Sequence, residues 1–190
     1  MRKWISLFCP LIMIFILTSF RFKPANLEVP DTLKVNGPTE VLFPKNKTVF
    51  NQVMAFKESQ GDYFTINTLG YLGKYQFGIG TLQLMGVYNA TRFLKDPALQ
   101  EKVFHTNIAR NKWILRKDIP RFVGQHINGV EITESGILAA AHLAGAGNVK
   151  RFLRSHGEFD VNDEFGTNIN AYMKKFSGYD ISHVSPKRNA

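Results

Sequence analysis

The sequence has almost no cysteine, and this limits the chemistry open to the protein. Its only cysteine, Cys9, lies in an apolar N-terminal run, so a disulfide framework and a cysteine-based zinc site are both excluded. The sequence also lacks a basic run and any zinc-ligand spacing, which makes nucleic acid a poor partner. Strand and helix patterns do not alternate as in a parallel sheet, and no internal repeat occurs. We predict no cofactor, no metal site and no nucleic-acid partner.

The positive charge of the chain is concentrated near its N-terminus. Among 190 residues, 24 Lys and Arg face 15 Asp and Glu, a formal net charge of +9. Residues 1–24 hold four of the cations and no acid, so residues 25–190 carry 20 minus 15, or +5. Hydrophobic content of 44% and charged content of 21% are ordinary for a globular protein and exclude a disordered or collagen-like chain. The length after residue 24 predicts one folded domain.

The N-terminal 23 residues form either a signal peptide or a membrane anchor. Residues 4–20 are uncharged and mostly apolar, with cations on both sides, and their length lies at the lower edge of what spans a bilayer. Four of the eight prolines then fall within residues 24–44. Because proline fixes φ and removes a donor, residues 24–47 are predicted to be an extended tether. The protein is therefore expected to be exported.

Residues 48–180 have the pattern of a mainly α domain, and a basic tail follows at 181–190. Thr48 is the predicted N-cap of a first helix with Phe50, Val53 and Met54 on one stripe, ended by Gly61. Four glycines within residues 70–80 exclude a regular helix there and predict a small hairpin or ordered loop. The predicted caps of the later helices are Asp96 with Pro97, Thr133, Asn148, and Thr167 or Asn168.

Glu58 is the candidate catalytic residue. It lies four residues after Met54, so it continues the apolar stripe of the first helix and is expected to face inward. Desolvation and the negative end of the helix dipole both favour a protonated carboxyl there, which is the form that can protonate a leaving glycosidic oxygen. The alternative is that Glu58 lies in an exposed last turn and pairs with Lys57 or Lys74.

Two motifs occur in the predicted domain. Glu58-Ser59, followed by Gly70, Gly73 and Gln76, resembles the Glu-Ser and Gly-x-x-Gly-x-x-Gln signature of the lytic transglycosylases, the lysozyme-like enzymes that cleave peptidoglycan. Residues 141–149, with the sequence AHLAGAGNV, resemble the family's Ala-Tyr-Asn-Ala-Gly-x-Gly-x-Val segment. With the helix that carries Tyr172, the similarity extends over about residues 48–176.

This resemblance implies a lysozyme-like fold with one catalytic glutamate and no essential aspartate. Glu58 would protonate the bond between N-acetylmuramic acid (MurNAc) and N-acetylglucosamine (GlcNAc), assisted by the substrate's acetamido group. As a base, it would then direct the sugar's 6-hydroxyl onto C1 to leave a 1,6-anhydro end. The expected partner is the peptidoglycan glycan strand, in the periplasm, at the membrane or outside the cell. The implied substrate-binding residues are Ser59, Tyr75, Gln76, His142 and Tyr172.

The departures from the family pattern leave other functions open. His142-Leu143 replaces the family's Tyr-Asn pair, of which the tyrosine helps to hold the glutamate and the asparagine contacts sugar. His142 either takes part of the first role as a hydrogen-bonding ring near Glu58 or is a core histidine. A hydrolytic lysozyme remains an alternative, and would need a second acid. A non-catalytic peptidoglycan-binding protein is another, and the oligomeric state is not predicted. The candidate second acids are Asp62, Glu131 and Glu134.

Overall fold

The part of the chain that the structure describes contains seven helices and one short two-stranded hairpin, which are connected by loops. The computed structural model describes residues 47–162 and 166–188, which belong to one structural unit. Strands β1 and β2 pair antiparallel, with His126 opposite Glu131 and Ile127 opposite Val130. The elements, in chain order, are α1 (Lys47–Ser59), α2 (Ile79–Leu84), α3 (Ala90–Lys95), α4 (Pro97–Ile114), α5 (Ile119–Phe122), β1 (His126–Ile127), β2 (Val130–Glu131), α6 (Glu134–Arg154) and α7 (Ile169–Lys175). The predicted mainly α class is confirmed.

The predicted signal peptide or anchor and almost all of the predicted tether lie outside the described residues. Within the described part of the chain, no helix combines the length and apolar character that crossing a membrane requires.

Capping side chains begin the helices largely where the sequence predicts. Asp96 accepts a hydrogen bond from the amide of Leu99 at 2.9 Å, with Pro97 in the first turn of α4. Thr133 caps α6 through the amide of Gly136 at 3.1 Å, and Asn168, rather than Thr167, caps α7. Helix α1 already begins at Lys47, so the prediction of Thr48 as its N-cap is wrong.

The break in α6 lies at Gly145, between the helix predicted after Thr133 and the one predicted to begin at Asn148. Gly145 has φ 79° and ψ 148°, a combination that essentially only glycine adopts. Asn148 does not cap a new helix: it lies within the second half of α6 and donates from Nδ2 to the carbonyl of Ala144 at 3.0 Å. The residues before and after Gly145 therefore form two helical segments that meet at a kink, and not one straight helix.

Several short elements were not predicted from the sequence. Helices α2 and α3 lie between the glycine-rich loop and α4, and α2 begins at Ile79, so the exclusion of helix over residues 70–80 is wrong for the last two of them. The hairpin of β1 and β2 turns at Asn128-Gly129, a dipeptide typical of tight hairpin turns. The glycine-rich segment itself is a tight loop in which Leu72 and Phe77 exchange backbone hydrogen bonds at 3.0 and 2.9 Å.

Helix α6 is central to the core and contacts both α4 and α7. Residues 137–141 of α6 are fully or almost fully buried. Ser135, at its start, donates to the carbonyl of Phe176 at 2.6 Å and accepts from the amide of Tyr179 at 3.1 Å. A Cβ on Gly136 would lie 2.8 Å from the carbonyl oxygen of Met173, so α6 and α7 approach each other where no side chain intervenes.

The folded unit extends beyond the predicted boundary at residue 180. Ile181 is buried, Val184 packs against the core, and the amide of Lys187 donates to the carbonyl of Ala109 in α4 at 3.0 Å. The predicted basic tail is therefore, up to residue 188, a segment that packs along α4.

The close approach of α6 and α7 predicts a large effect of a single methyl group. Gly136→Ala should lower the free energy of unfolding by about 1–3 kcal/mol, because the new Cβ must displace the backbone of Met173. Gly80→Ala in α2 is the matched control, since a Cβ there meets nothing within 4 Å and alanine favours helix by up to about 1 kcal/mol. Denaturant unfolding measures both variants. Equal stability of the two variants would contradict this packing.

Candidate active site

A cavity of about 480 Å³ lies between the end of α1, the glycine-rich loop, α2, α4 and the kink of α6. This volume is in the range of small-ligand sites. Its wall includes Glu58, Gln76 and Thr81, together with His142 and the other residues of the 141–147 segment. Parts of both sequence motifs, far apart in the chain, therefore meet around one space.

Glu58 is half-buried in the wall of this cavity. The hydroxyl of Tyr172 donates a hydrogen bond to Glu58 Oε1 at 2.5 Å. Tyr172 is itself buried and does not line the cavity, which corrects its prediction as a substrate contact: it holds the carboxyl from behind. The exposed alternative, with Glu58 paired to Lys57 or Lys74, is not what the structure shows. Glu58 is half-buried, no ion pair among the described residues includes it, and Lys74 pairs with Glu101 at 2.7 Å.

Ser59 fastens the glycine-rich loop to the end of α1. Its hydroxyl donates to the carbonyl of Lys74 at 2.8 Å, and it does not line the cavity. The predicted substrate contact of Ser59 is therefore replaced by a structural one. On the other side of the loop, buried Gln100 accepts from the amide of Lys74 at 2.9 Å. A Cβ on Gly73 would lie 2.2 Å from Gln100 Oε1, so glycine is needed for this contact.

Gln76 lines the cavity in an unusual backbone conformation. Its φ is +50°, and its Nε2 donates to the carbonyl of Gly73 at 2.8 Å. Its Oε1 is buried and finds no hydrogen-bond partner among the described residues. An unpaired buried acceptor costs about 1–3 kcal/mol, so Gln76 is positioned at some expense of stability, as is common in functional sites.

His142 lines the cavity without contacting Glu58 through a hydrogen bond. Its Nε2 lies 2.8 Å from the carbonyl oxygen of Tyr75; because a carbonyl only accepts, Nε2 must carry the proton. The ring packs edge-on against Phe77 and Phe104. Of the two predicted alternatives, the packing favours the core histidine, although the residue also lines the cavity. The glutamate is held by Tyr172, and not by His142.

Tyr75 is a core residue, which corrects its prediction as a sugar contact. Its side chain is 0% exposed and stacks on Phe104 with ring centroids 3.8 Å apart. Its hydroxyl donates to Glu101 Oε2 at 2.9 Å. The aromatic residue of the loop that does line the cavity and is exposed is Tyr71.

A polar cluster under the glycine-rich loop fixes its position. Glu101 accepts from Lys74 and Tyr63 at 2.7 Å each and from Tyr75 at 2.9 Å. Burial opposes ionisation of Glu101, but these hydrogen bonds outweigh it and lower its pKa. Burial likewise works to lower the pKa of Lys74, yet its hydrogen bonds to Glu101 and Tyr63 raise it overall. Burial, reinforced by the Glu101 carboxylate, raises the pKa of Tyr75 well above its usual value.

Glu58 is the only carboxylate among the described residues that line the cavity. None of the candidate second acids lines the cavity. Asp62 accepts from the amide of Phe64 at 2.8 Å in an exposed turn, Glu134 pairs with Lys112 at 2.9 Å, and Glu131 is exposed on β2. Within the two described ranges, no group of three His, Cys, Asp or Glu side chains is arranged to hold a metal ion.

The contribution of α4 to the cavity was not predicted from the sequence. Asn107, Arg110 and Asn111 all line the cavity, and the two asparagines are buried. The available signal was their spacing, because residues at i, i+3 and i+4 share one face of a helix. Polar residues on a face of a helix that also carries buried Val103, Phe104 and Ile108 mark a surface that meets something other than the apolar core.

Comparison with known proteins adds no relative. Neither the sequence models of known protein families, nor the curated proteins, nor the solved structures gave a match to this chain.

The polar cluster predicts a pH-dependent contribution to stability. Because the pKa of Glu101 is lowered in the folded state, its contribution is present above the usual glutamate pKa of about 4.3 and is lost as pH falls through the lower folded value. The melting temperature of Glu101→Gln should therefore lie below that of the unsubstituted protein at pH 6–7, and the gap should narrow as the pH falls below about 4.3.

Exposed Glu131 provides the control for this measurement. Glu131→Gln should melt close to the unsubstituted protein throughout the same range, because Glu131 makes no ion pair within the described part of the chain. A gap for Glu101→Gln that stays constant down to pH 3 would show that its charge is not the source of the stabilisation.

Proposed function

We propose that this chain is a peptidoglycan lytic transglycosylase with a lysozyme-like fold, which cleaves the bond between MurNAc and GlcNAc. The observation that carries the proposal is the position of Glu58. It lines a cavity of about 480 Å³ as the single carboxylate among the described lining residues, and its carboxyl is held by Tyr172. A lone, oriented glutamate is what a one-carboxylate mechanism needs.

In the proposed reaction, Glu58 acts first as an acid and then as a base. Its proton passes to the glycosidic oxygen as the bond from that oxygen to C1 of MurNAc breaks. The acetamido oxygen of the same MurNAc bonds to C1 and stabilises the positive charge. Glu58 then takes the proton from the 6-hydroxyl, whose oxygen attacks C1 and displaces the acetamido oxygen. The glutamate is protonated again, no water is consumed, and the product has a 1,6-anhydro end.

The arrangement of the two motifs supports this assignment. Gln76 from the first motif and residues 141–147 from the second face the same cavity as Glu58. Exposed Tyr71 adds an aromatic ring at the wall, a surface against which a sugar face can pack. The role that the family gives to its motif tyrosine would fall here to Tyr172, which makes the replacement by His142 compatible with catalysis.

The single carboxylate favours a transglycosylase over a two-acid hydrolase. Two-carboxylate glycosidases place their acids about 5–10 Å apart across the scissile bond. Asp62, Glu131 and Glu134 are absent from the cavity lining, so none of them is in position for that role. The N-terminal residues 1–23, as a signal or an anchor, would bring the protein to the peptidoglycan.

Digestion of purified peptidoglycan by the full-length protein tests the proposal. Mass spectrometry should find 1,6-anhydro muropeptides, lighter than the hydrolytic products by one water. Glu58→Gln should fold normally and reduce the rate by about 10²–10⁴-fold, because it removes the single carboxyl among the described lining residues. Asp62→Asn and Glu131→Gln, which change acids outside the cavity, are matched controls and should retain activity.

The other outcomes identify the alternative functions. Products with reducing ends would indicate a hydrolase, and intact polymer that retains the protein would indicate a non-catalytic binder. Full turnover by Glu58→Gln would overturn the assignment of Glu58.

A positioning role for Tyr172 predicts a specific kinetic change. Tyr172→Phe removes the hydroxyl that holds Glu58 and should lower kcat by about 10–100-fold, because misplacement of a catalytic group weakens catalysis by such factors. KM should change little, since Tyr172 does not line the cavity. Tyr88→Phe, at a tyrosine 81% exposed, is the control. A rise in KM with unchanged kcat would contradict the positioning role.

A further inference from the structure

One face of α4 lines the cavity with polar groups that the proposed reaction does not use. Asn107, Arg110 and Asn111 follow each other at i, i+3 and i+4, and Ile114 continues the same face. None of these residues belongs to either sequence motif. The cavity wall formed by α4 is called the α4 subsite below.

Arg110 is the only Lys or Arg among the described lining residues. It is half-buried, and none of the ion pairs within the described ranges includes it. Lys112, two residues later in α4, shows the contrast, because it pairs with Glu134 at 2.9 Å. A guanidinium that is partly removed from water favours an anionic partner, and its planar fork matches a carboxylate. Arg110 thus lines the cavity without an ion-pair partner among the residues that the structure describes.

The two asparagines of the α4 subsite pair with each other in a way that leaves one donor and one acceptor. Asn111 Nδ2 donates to Asn107 Oδ1 at 2.6 Å. This bond leaves Asn107 Nδ2 as a donor and Asn111 Oδ1 as an acceptor. An acetamido group presents the complementary pair, a carbonyl oxygen and an N–H. Both side chains are nearly buried, 7% and 6% exposed, so they are held in place before a ligand arrives.

We infer that the α4 subsite binds a substrate unit that carries both an N-acetyl group and a carboxylate, with Arg110 on the carboxylate and the asparagine pair on the acetamido group. The inference rests on the proposed function and specifies which part of the glycan strand the cavity selects. Two sources can supply the carboxylate: the peptide stem attached to MurNAc, or the free lactyl group of a MurNAc that has lost its stem. A neutral GlcNAc oligomer carries N-acetyl groups but no carboxylate.

Binding to three glycan probes tests the inference. The probes are a stem-bearing glycan fragment, a stem-less fragment with free lactyl groups, and a GlcNAc oligomer of equal length. All are measured with the full-length Glu58→Gln protein, which should not cleave them. Introducing Arg110→Gln into this protein should weaken the binding of at least one carboxylate-bearing probe by about 10–100-fold, the factor expected when one charge-assisted hydrogen bond is lost. Binding of the GlcNAc oligomer should be unchanged, and Arg110→Lys should restore part of the loss.

Arg116→Gln is the matched charge control. Arg116 lies just after the end of α4 and is exposed. It stacks on Trp113 and does not line the cavity, so the removal of its charge should not change the binding of any probe. Loss on the stem-bearing probe alone identifies the peptide as the source, and loss on the stem-less probe identifies the lactyl group.

Two results would overturn the inference. In the first, Arg110→Gln weakens all three probes equally; in the second, it weakens none of them, which includes the case in which no probe binds. Failure of the proposed function is recognised separately, because the unsubstituted protein would then leave peptidoglycan uncut whatever the binding results.

Discussion

The hydrogen bond from Tyr172 to Glu58 joins the end of α1 to α7, and the geometry of the site depends on it. Tyr172 reaches the carboxyl only because α7 lies close against α6. That contact depends on glycine at position 136, where a side chain would meet the backbone of α7. It is also held by the hydrogen bonds of Ser135 to Phe176 and Tyr179, which follow α7. The position of one carboxylate is thus set by three elements that are distant in sequence, and the cavity side of Glu58 stays open to a ligand.

The structure separates the groups that hold the site from the groups that face it. Ser59, Gln100 and the cluster around Glu101 bind the glycine-rich loop from outside the cavity. Gln76 and His142 face the cavity, and each keeps a buried polar atom without a partner in the described part of the chain. This division is physically reasonable, because a loop that is fastened by its own backbone and by buried side chains can present unpaired polar groups without collapsing.

Periodicity predicted that Glu58, four residues after Met54, continues the inward stripe of α1, and the resemblance of the Glu-Ser motif singled it out as the candidate catalytic residue. Both signals are local in the sequence. Capping chemistry placed the starts of α4, α6 and α7 for the same reason. The prediction of a sugar contact for Tyr75 was wrong, because the burial of Tyr75 depends on Phe104 and Glu101, which belong to a helix distant in the sequence. The α4 subsite was missed because whether a polar helical face meets solvent or a cavity is decided by the elements packed around it. Short helices such as α2 and α3 give too few turns for a clear period.

The proposed chemistry requires a glycosidic oxygen to lie next to one side chain. A crystal structure of the Glu58→Gln protein with a bound peptidoglycan tetrasaccharide measures this directly. The account predicts that the scissile oxygen lies within about 3 Å of the side chain at position 58, a distance over which a proton can pass. A saccharide bound in the cavity with its glycosidic oxygens out of reach of that side chain, or bound elsewhere on the protein, would contradict it.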